Sequence, residues 1–129
     1  MTEDVRERRG DLTALVAGND AFRRVVVTGT QMQLAVMTIE PGGEVGEEVH
    51  EGTDQFLHFV EGDAEAELDG DRFAVPPGGY VFVPAGTRHN FRNTGSVPLR
   101  IATTYAPPEH APGTLHRSKA EADADEHDH

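Results

Sequence analysis

The sequence predicts an all-β fold, of the sandwich or barrel type, in a single domain. Fourteen glycines and eight prolines punctuate the 129 residues and divide them into short runs. These runs are rich in β-branched residues and recur at roughly 8–12 residue intervals, which is typical of sandwiches and barrels. With 36% hydrophobic residues, the chain is expected to bury one core and is too short for two.

The N-terminal arm, residues 1–20, is polar and is predicted to contain one short helix. Its apolar residues Leu12, Leu15 and Val16 have the spacing of one or two helical turns. Asp11 stands where an N-cap is expected. We expect this helix to lie against the barrel or against a partner subunit.

The central part, residues 21–106, is predicted to form the barrel. Gly or Pro bounds most of its runs, and β-branched residues within them favour strands. The predicted strands cover residues 22–29, 31–40, 54–62, 63–70, 72–75, 80–84, 87–93 and 98–106. The core candidates on them are Met32, Leu34, Val36, Tyr80, Phe82 and Phe91.

Alternation along the strand at residues 54–62 separates an inner face from an outer face. The inner face is predicted to hold Gln55, Leu57 and Phe59. The outer face is predicted to hold Phe56, His58 and Val60. An apolar outer face favours covering by another sheet or another subunit.

The tail, residues 107–129, differs in composition from the barrel. It begins with a proline-rich, extended segment. Ser118 and Glu121 then form a capping box, which predicts a short helix. The acidic end has no core-forming residue, so we expect it to be disordered.

Composition excludes several classes of function. The formal net charge of −12 repels nucleic-acid phosphates and anionic lipids, so we expect no nucleic acid and no membrane as partners. The absence of cysteine excludes disulfides, thiolate nucleophiles and cysteine-ligated zinc. The charged N-terminus is unlike a signal peptide, and no run has the ~20 apolar residues of a membrane span. We therefore expect a cytoplasmic protein.

Four residues have the types and positions of a metal-binding set. Glu48 and His50 are two residues apart, and such positions on a strand face the same side. Gln55 begins the next strand, and His89 follows a Pro-Ala-Gly turn. Two imidazoles, a carboxylate and an amide oxygen can hold one divalent ion of the first transition row. Each residue taken alone is better explained by an ordinary surface or hydrogen-bonding role, and it is their spacing that favours a metal site.

The spacing of these residues resembles the two sequence motifs of the cupin family. The first motif places two histidines and a glutamate between glycines, and its positions here hold Gly42, Glu48, His50, Gln55 and Gly62. Glu48 thus stands at a histidine position, and Gln55 stands at the glutamate position. The second motif is matched at every named position, by Gly78, Pro84, Gly86, His89 and Asn93.

The resemblance covers about residues 22–106 and implies a cupin double-stranded β-helix, a jelly-roll barrel, of the mannose-6-phosphate isomerase-like type. It also implies one divalent metal ion at the open end of the barrel. The positions that match the family's ligands are Glu48, His50, Gln55 and His89. This ligand set is compatible with Fe, Mn, Ni or Zn. A homodimer and a small-molecule substrate are further expectations.

Functions from different classes are compatible with such a site. The first is an enzyme acting on a small oxygen-rich metabolite, as an isomerase or epimerase, a lyase or a dioxygenase, with Glu48 as ligand and catalytic proton acceptor. A phosphosugar substrate would need a basic clamp. The candidates for that clamp are Arg72, Arg88, Arg92 and Arg100. The alternatives are a non-catalytic module that binds a small molecule or metal, and a structural dimer with an empty site.

The other polar residues near the site are expected on the surface. The neighbours of His89 that alternate with it, and so should point outward, are Arg88, Asn90 and Arg92. His110 and His116 lie in the tail and are expected to be ordinary solvent-exposed side chains, although they could cap the barrel. His127 and His129 are assigned no function.

Overall fold

The computed structural model describes residues 8–126. The helices and strands in this part of the chain are α1 Leu12–Gly18, β1 Arg23–Thr28, β2 Gln33–Ile39, β3 Asp54–Glu61, β4 Ala64–Leu68, β5 Asp71–Val75, β6 Tyr80–Val83, β7 His89–Asn93, β8 Leu99–Ala106, β9 Leu115–His116 and α2 Lys119–Glu126. Neither described helix is long and apolar enough to cross a membrane.

The strands form two antiparallel sheets around one main core. The larger sheet has the order β6-β3-β8-β2-β1-β9, and the smaller has the order β5-β4-β7. The rings of Phe59 on β3 and Phe91 on β7 lie 5.5 Å apart, so side chains of the two sheets meet. Core residues no more than 1% exposed include Met37, Leu57, Phe59, Phe91, Leu99 and Ile101. The predicted jelly-roll fold is confirmed.

Glycines at the motif positions allow the turns that close the barrel. Positive φ angles occur at Gly42, Gly62, Gly78 and Gly86. The requirement for glycine is clearest at Gly62, whose φ is 95°. A Cβ there would lie 3.0 Å from the carbonyl oxygen of Pro98 and 3.1 Å from Leu99 Cα. Glycine is therefore needed for both the conformation and the close approach of the chain.

Three predicted core residues are instead exposed: Met32 just before β2, and Tyr80 and Phe82 on the outer face of the larger sheet. Met32, Tyr80 and Phe82 are 57%, 68% and 48% exposed. Tyr80 and Phe82 pair with His58 and Phe56 on β3, and they therefore share the outward face of that strand. The core prediction was wrong here because strand pairing, and not hydrophobicity alone, decides which side a residue faces.

Helix α1 covers another part of this outer face. It is capped as predicted, since the Asp11 side chain accepts a hydrogen bond from the amide of Ala14 at 3.1 Å. Val16 packs with Val36 and Ala102 in a separate small cluster. Val36 is consequently buried although it points out of the barrel.

The tail adds to the fold beyond the predicted barrel. Strand β9 pairs with β1 and extends the larger sheet. The predicted helix is present as α2, and the Ser118 hydroxyl accepts from the amide of Glu121 at 3.3 Å. Ala122 is 2% exposed and joins the main core. Residues 121–126 are thus helical where disorder was expected, and residues 1–7 and 127–129, with the two last histidines, lie outside the described residues.

Candidate metal centre

Three of the predicted ligands meet because two segments of the chain pair side by side. Glu48 and His89 form an isolated antiparallel bridge, in which both N–H···O distances are 2.9 Å. His50 lies two residues beyond Glu48, so its side chain returns to the same face. The amide of Gly86 donates to the His50 carbonyl at 2.8 Å and fixes the end of this segment. We call this end of the barrel the mouth.

The side chains of Glu48, His50 and His89 form a compact cluster at the mouth. They offer ligand atoms that all lie within 4.8 Å of one another. His50 Nε2 is 3.4 Å from Glu48 Oε1, and the two imidazole rings are 5.2 Å apart between centroids. His89 is 1% exposed. This carboxylate and these two imidazoles could hold a metal ion.

Both imidazoles are held through Nδ1, which leaves Nε2 for a ligand bond. His89 Nδ1 donates to the carbonyl oxygen of Thr87 at 2.8 Å. His50 Nδ1 lies 3.2 Å from Glu109 Oε2. The Nε2 atoms of both rings are buried and have no hydrogen-bond partner. Leaving such an atom unsatisfied costs about 1–3 kcal/mol, and a bond to a metal removes that cost.

Gln55 lies on the inner face of β3, as the alternation predicted, and burial along that strand alternates accordingly. Its side chain is 4% exposed. The amide Nε2 donates to Thr103 Oγ1 at 3.0 Å, whereas the amide Oε1 is buried without a partner. Gln55 therefore presents an acceptor atom of the kind a metal ligand needs, on the inner surface of the barrel.

The two imidazoles differ in pKa because their surroundings differ. Burial opposes the charged form of His50, but the nearby carboxylates of Glu109 and Glu48 outweigh it and raise its pKa to about 9. Burial lowers the pKa of His89, although the carbonyl of Thr87 acts in the opposite direction. Positive charge at the mouth is therefore stabilised between the two carboxylates.

The tail reaches the cluster of candidate ligands, which the sequence allowed only as a possible capping of the barrel by His110 and His116. Glu109 contacts His50, as described above, and it was not among the predicted site residues. The His110 ring is half-buried, 5.1 Å from that of Tyr105, and His116 is only 5% exposed. The expectation that both tail histidines are solvent-exposed was wrong, because β9 returns the tail to the barrel wall. The two histidines were the only sequence signal that could have pointed to this segment.

The expected outward direction of the residues beside His89 holds for only part of the set. Arg88 is exposed and pairs with Glu47 at 2.6 Å. Asn90, in contrast, is 4% exposed. Its side chain accepts from the amide of Gly46 at 2.8 Å and donates to Glu44 at 2.6 Å. Asn90 is buried because the turn before Glu48 packs over it.

The family model described as "Cupin domain" matches residues 35–105 of this chain. The match spans the larger part of the barrel and contains Glu48, His50, Gln55 and His89. Together with the two-sheet fold, it shows that the chain belongs to the cupin family.

The chain is similar to several individual proteins. The crystal structure of BH2720 from Bacillus halodurans has 37% sequence identity and a TM-score of 0.88, covering 90% of this chain and 92% of that one. The uncharacterized protein YrkC of Bacillus subtilis is 38% identical over 114 residues, which are 84% of this chain and 61% of YrkC. Polyketide synthase CurC of Streptomyces cyaneus is 30% identical over 105 residues, 81% of this chain and 64% of CurC. The chain thus spans a little over three fifths of these two curated relatives.

Proposed function

We propose that this protein binds one divalent metal ion through Glu48, His50, Gln55 and His89. The supporting observation is a set of buried side-chain nitrogen and oxygen atoms without hydrogen-bond partners: His50 Nε2, Gln55 Oε1 and His89 Nε2. Most buried polar atoms in folded proteins are paired, so three exceptions on the predicted ligands need an explanation. A cation bonded to these atoms and to the Glu48 carboxylate satisfies all of them.

The donor set restricts the metal. Two imidazole nitrogens, one amide oxygen and one carboxylate give a borderline site with one formal negative charge. Such a site suits Fe(II), Mn(II), Ni(II) or Zn(II), and its two oxygen donors favour iron or manganese.

We further propose that the protein is an enzyme acting on a small oxygen-rich metabolite. A bound metal ion polarises a substrate oxygen and makes a neighbouring C–H more acidic. Glu48 is our candidate for accepting that proton, because its side chain lies in the cluster and is only 13% exposed. An isomerase or epimerase reaction, a lyase reaction and a dioxygenase reaction all fit this arrangement. The name of the relative CurC supports an oxygen-rich substrate, since polyketides carry many carbonyl oxygens.

A phosphorylated sugar is the least supported substrate among these. All four arginines considered for a phosphate clamp have carboxylate partners outside the cluster. The pairs are Arg72–Glu67 at 3.6 Å, Arg88–Glu47 at 2.6 Å, Arg92–Glu67 at 3.1 Å and Arg100–Glu61 at 3.6 Å. A substrate bearing carbonyl or hydroxyl groups needs no such clamp.

Metal content tests the proposed site directly. Untagged protein is purified, and its metal is measured by elemental analysis beside His50→Ala and His89→Ala. His58→Ala is the matched control, because His58 lies on β3 but faces outward and is exposed. We expect about one metal ion per chain in the wild type and in the control, and a small fraction of that in both cluster variants. Wild-type metal content in both cluster variants would show that the site is wrong.

The metal dependence of turnover tests the enzyme proposal. The protein is loaded with iron or zinc and supplied with a 1,3-diketone as the probe. Oxygen uptake with iron alone indicates a dioxygenase, and probe conversion with zinc indicates an isomerase or lyase. We expect Glu48→Gln to lower turnover at least a hundredfold. Binding of the probe without conversion in either metal form would contradict catalysis and favour a non-catalytic module.

We also propose that the outer face of the larger sheet pairs with a second copy of the chain. The rings of Phe56 and Tyr80 stack there at 5.5 Å, and Phe82 lies beside them on the exposed face. In a chain with 23 acidic residues, this uncharged apolar surface is where two copies can approach without repulsion. Light scattering should show a dimer that Phe82→Asp converts to a monomer. A monomeric wild type would contradict this proposal.

A further inference from the structure

We propose that Glu109 is a positioning residue for the metal ligand His50. It lies on the segment that follows β8 and includes β9, residues 107–116, which we call the strap. Its carboxylate holds the Nδ1–H of His50 and so directs the Nε2 lone pair toward the metal. This inference rests on the proposed metal site and assigns a role to a residue outside the cupin motifs.

The contact between Glu109 and His50 determines which ring nitrogen carries the proton. Glu109 Oε2 is 3.2 Å from Nδ1, and the ring's other nitrogen is buried without a hydrogen-bond partner. An ionised carboxylate only accepts hydrogen bonds, so Nδ1 is the nitrogen that keeps its proton when Nε2 loses its own to bind a metal ion. A carboxylate behind a ligating imidazole also increases its basicity and fixes its orientation.

His89 shows the same arrangement with a different partner. Its Nδ1 donates to the Thr87 carbonyl at 2.8 Å, and its Nε2 is likewise buried and unpaired. For His89 the acceptor comes from the second motif, only two residues away. For His50 it comes from the strap, which is 59 residues further along the chain. Both imidazoles are therefore held in a fixed orientation. His89 is held by a residue of its own sequence motif, whereas His50 is held by a residue of the strap.

The strap is fixed to the barrel wall, so Glu109 is held in place. Gln33 on β2 is 1% exposed. Its Oε1 accepts from the amides of Glu109 and His110 at 3.3 and 3.1 Å, and its Nε2 donates to the His110 carbonyl at 2.7 Å. One buried amide thus binds the strap backbone at the residue that contacts His50. At the far end, Arg23 Nη1 lies 3.1 Å from His116 Nδ1.

Cobalt(II) is a suitable probe, because its affinity and its visible spectrum report different properties. We compare wild type with Glu109→Ala and Glu109→Gln. Glu65→Ala is the matched control, since the Glu65 side chain is 34% exposed against 31% for Glu109 and is also in an ion pair, with Arg92. Competition titration gives the affinity, and the spectrum gives the ligand set.

We expect Glu109→Ala to weaken Co(II) binding about 10- to 100-fold, with one ion still bound per chain and the wild-type spectrum. Glu109→Gln keeps an acceptor oxygen and should recover part of the loss, and Glu65→Ala should bind as wild type. Wild-type affinity in Glu109→Ala would overturn the inference while leaving the metal site intact. A changed spectrum would make Glu109 a ligand and also overturn it. Failure of wild type itself to bind would instead refute the proposed function.

Discussion

His89 and Asn93 lie four residues apart on β7, and they show how the two ends of the barrel differ. Both are buried, at 1% and 4% exposure. Asn93 Nδ2 donates to the carbonyls of Ile39 and Val97, each at 2.9 Å, and its Oδ1 accepts from the amide of Gly95 at 2.9 Å. His89 pairs one ring nitrogen and leaves the other unpaired.

The difference separates a structural role from a functional one within a single motif. A buried polar side chain with every atom paired ties loops together and stabilises the fold. A buried side chain with one unpaired atom costs stability unless something else binds it. The closed end of the barrel is therefore expected to control folding, and the mouth is expected to control binding.

The largest expected effect is at the closed end. Asn93→Ala leaves two carbonyls and one amide without their buried partner, so we expect a loss of about 3 kcal/mol in the free energy of unfolding. Urea denaturation of metal-free protein measures it. Metal affinity below the unfolding transition should stay at the wild-type value. If Asn93→Ala instead had a weakened metal affinity and unchanged stability, the closed end would control binding and not folding.

A slightly smaller effect is expected when metal is added to the folded protein. At a free metal concentration 100 times the Kd, the wild type should gain about 2.7 kcal/mol of stability. His89→Ala should gain almost none, while its metal-free stability stays closer to wild type than that of Asn93→Ala. Thermal unfolding with and without Mn(II) measures both quantities. Equal stabilisation of the wild type and His89→Ala by Mn(II) would contradict the metal-binding role proposed for the mouth.

The smallest effect concerns His110, whose Nε2 is also buried without a partner. Burial lowers the pKa of His110 to about 4 from its ordinary value of 6.5. The neutral ring is thus favoured in the folded state, so its contribution is complete above pH 6.5 and is lost as the pH falls through 4. The charged or titratable groups acting on it are Arg23, Glu48, Glu109 and His116.

Replacement of His110 by glutamine tests this contribution. The ring is half-buried, so we expect the wild type to lose about 2 kcal/mol more stability than His110→Gln between pH 7 and pH 4. Urea unfolding of both metal-free proteins at a series of pH values gives the difference. Parallel pH profiles of the two proteins would show that folding does not change the pKa of His110, and would contradict this prediction.

The candidate ligands Glu48 and His50 and the turns around them were predictable because their spacing is local. Glu48 and His50 share a face by strand alternation alone, and the outward position of His58 followed from the same rule. Gly62 was predictable because its turn requires a positive φ. The core prediction failed at Tyr80 and Phe82, since their side depends on pairing with β3.

By itself, the sequence determined the family fold, the positions of the turns and which residues could serve as ligands. These properties depend on spacing along one chain segment and on backbone sterics. Only the tertiary structure decided that Glu109 stands behind His50, that His110 is half-buried and that His116 is buried. The physical reason is that the strap is positioned by Gln33 and by the pairing of β9 with β1. Contacts between residues so distant in the chain leave no periodic pattern in it.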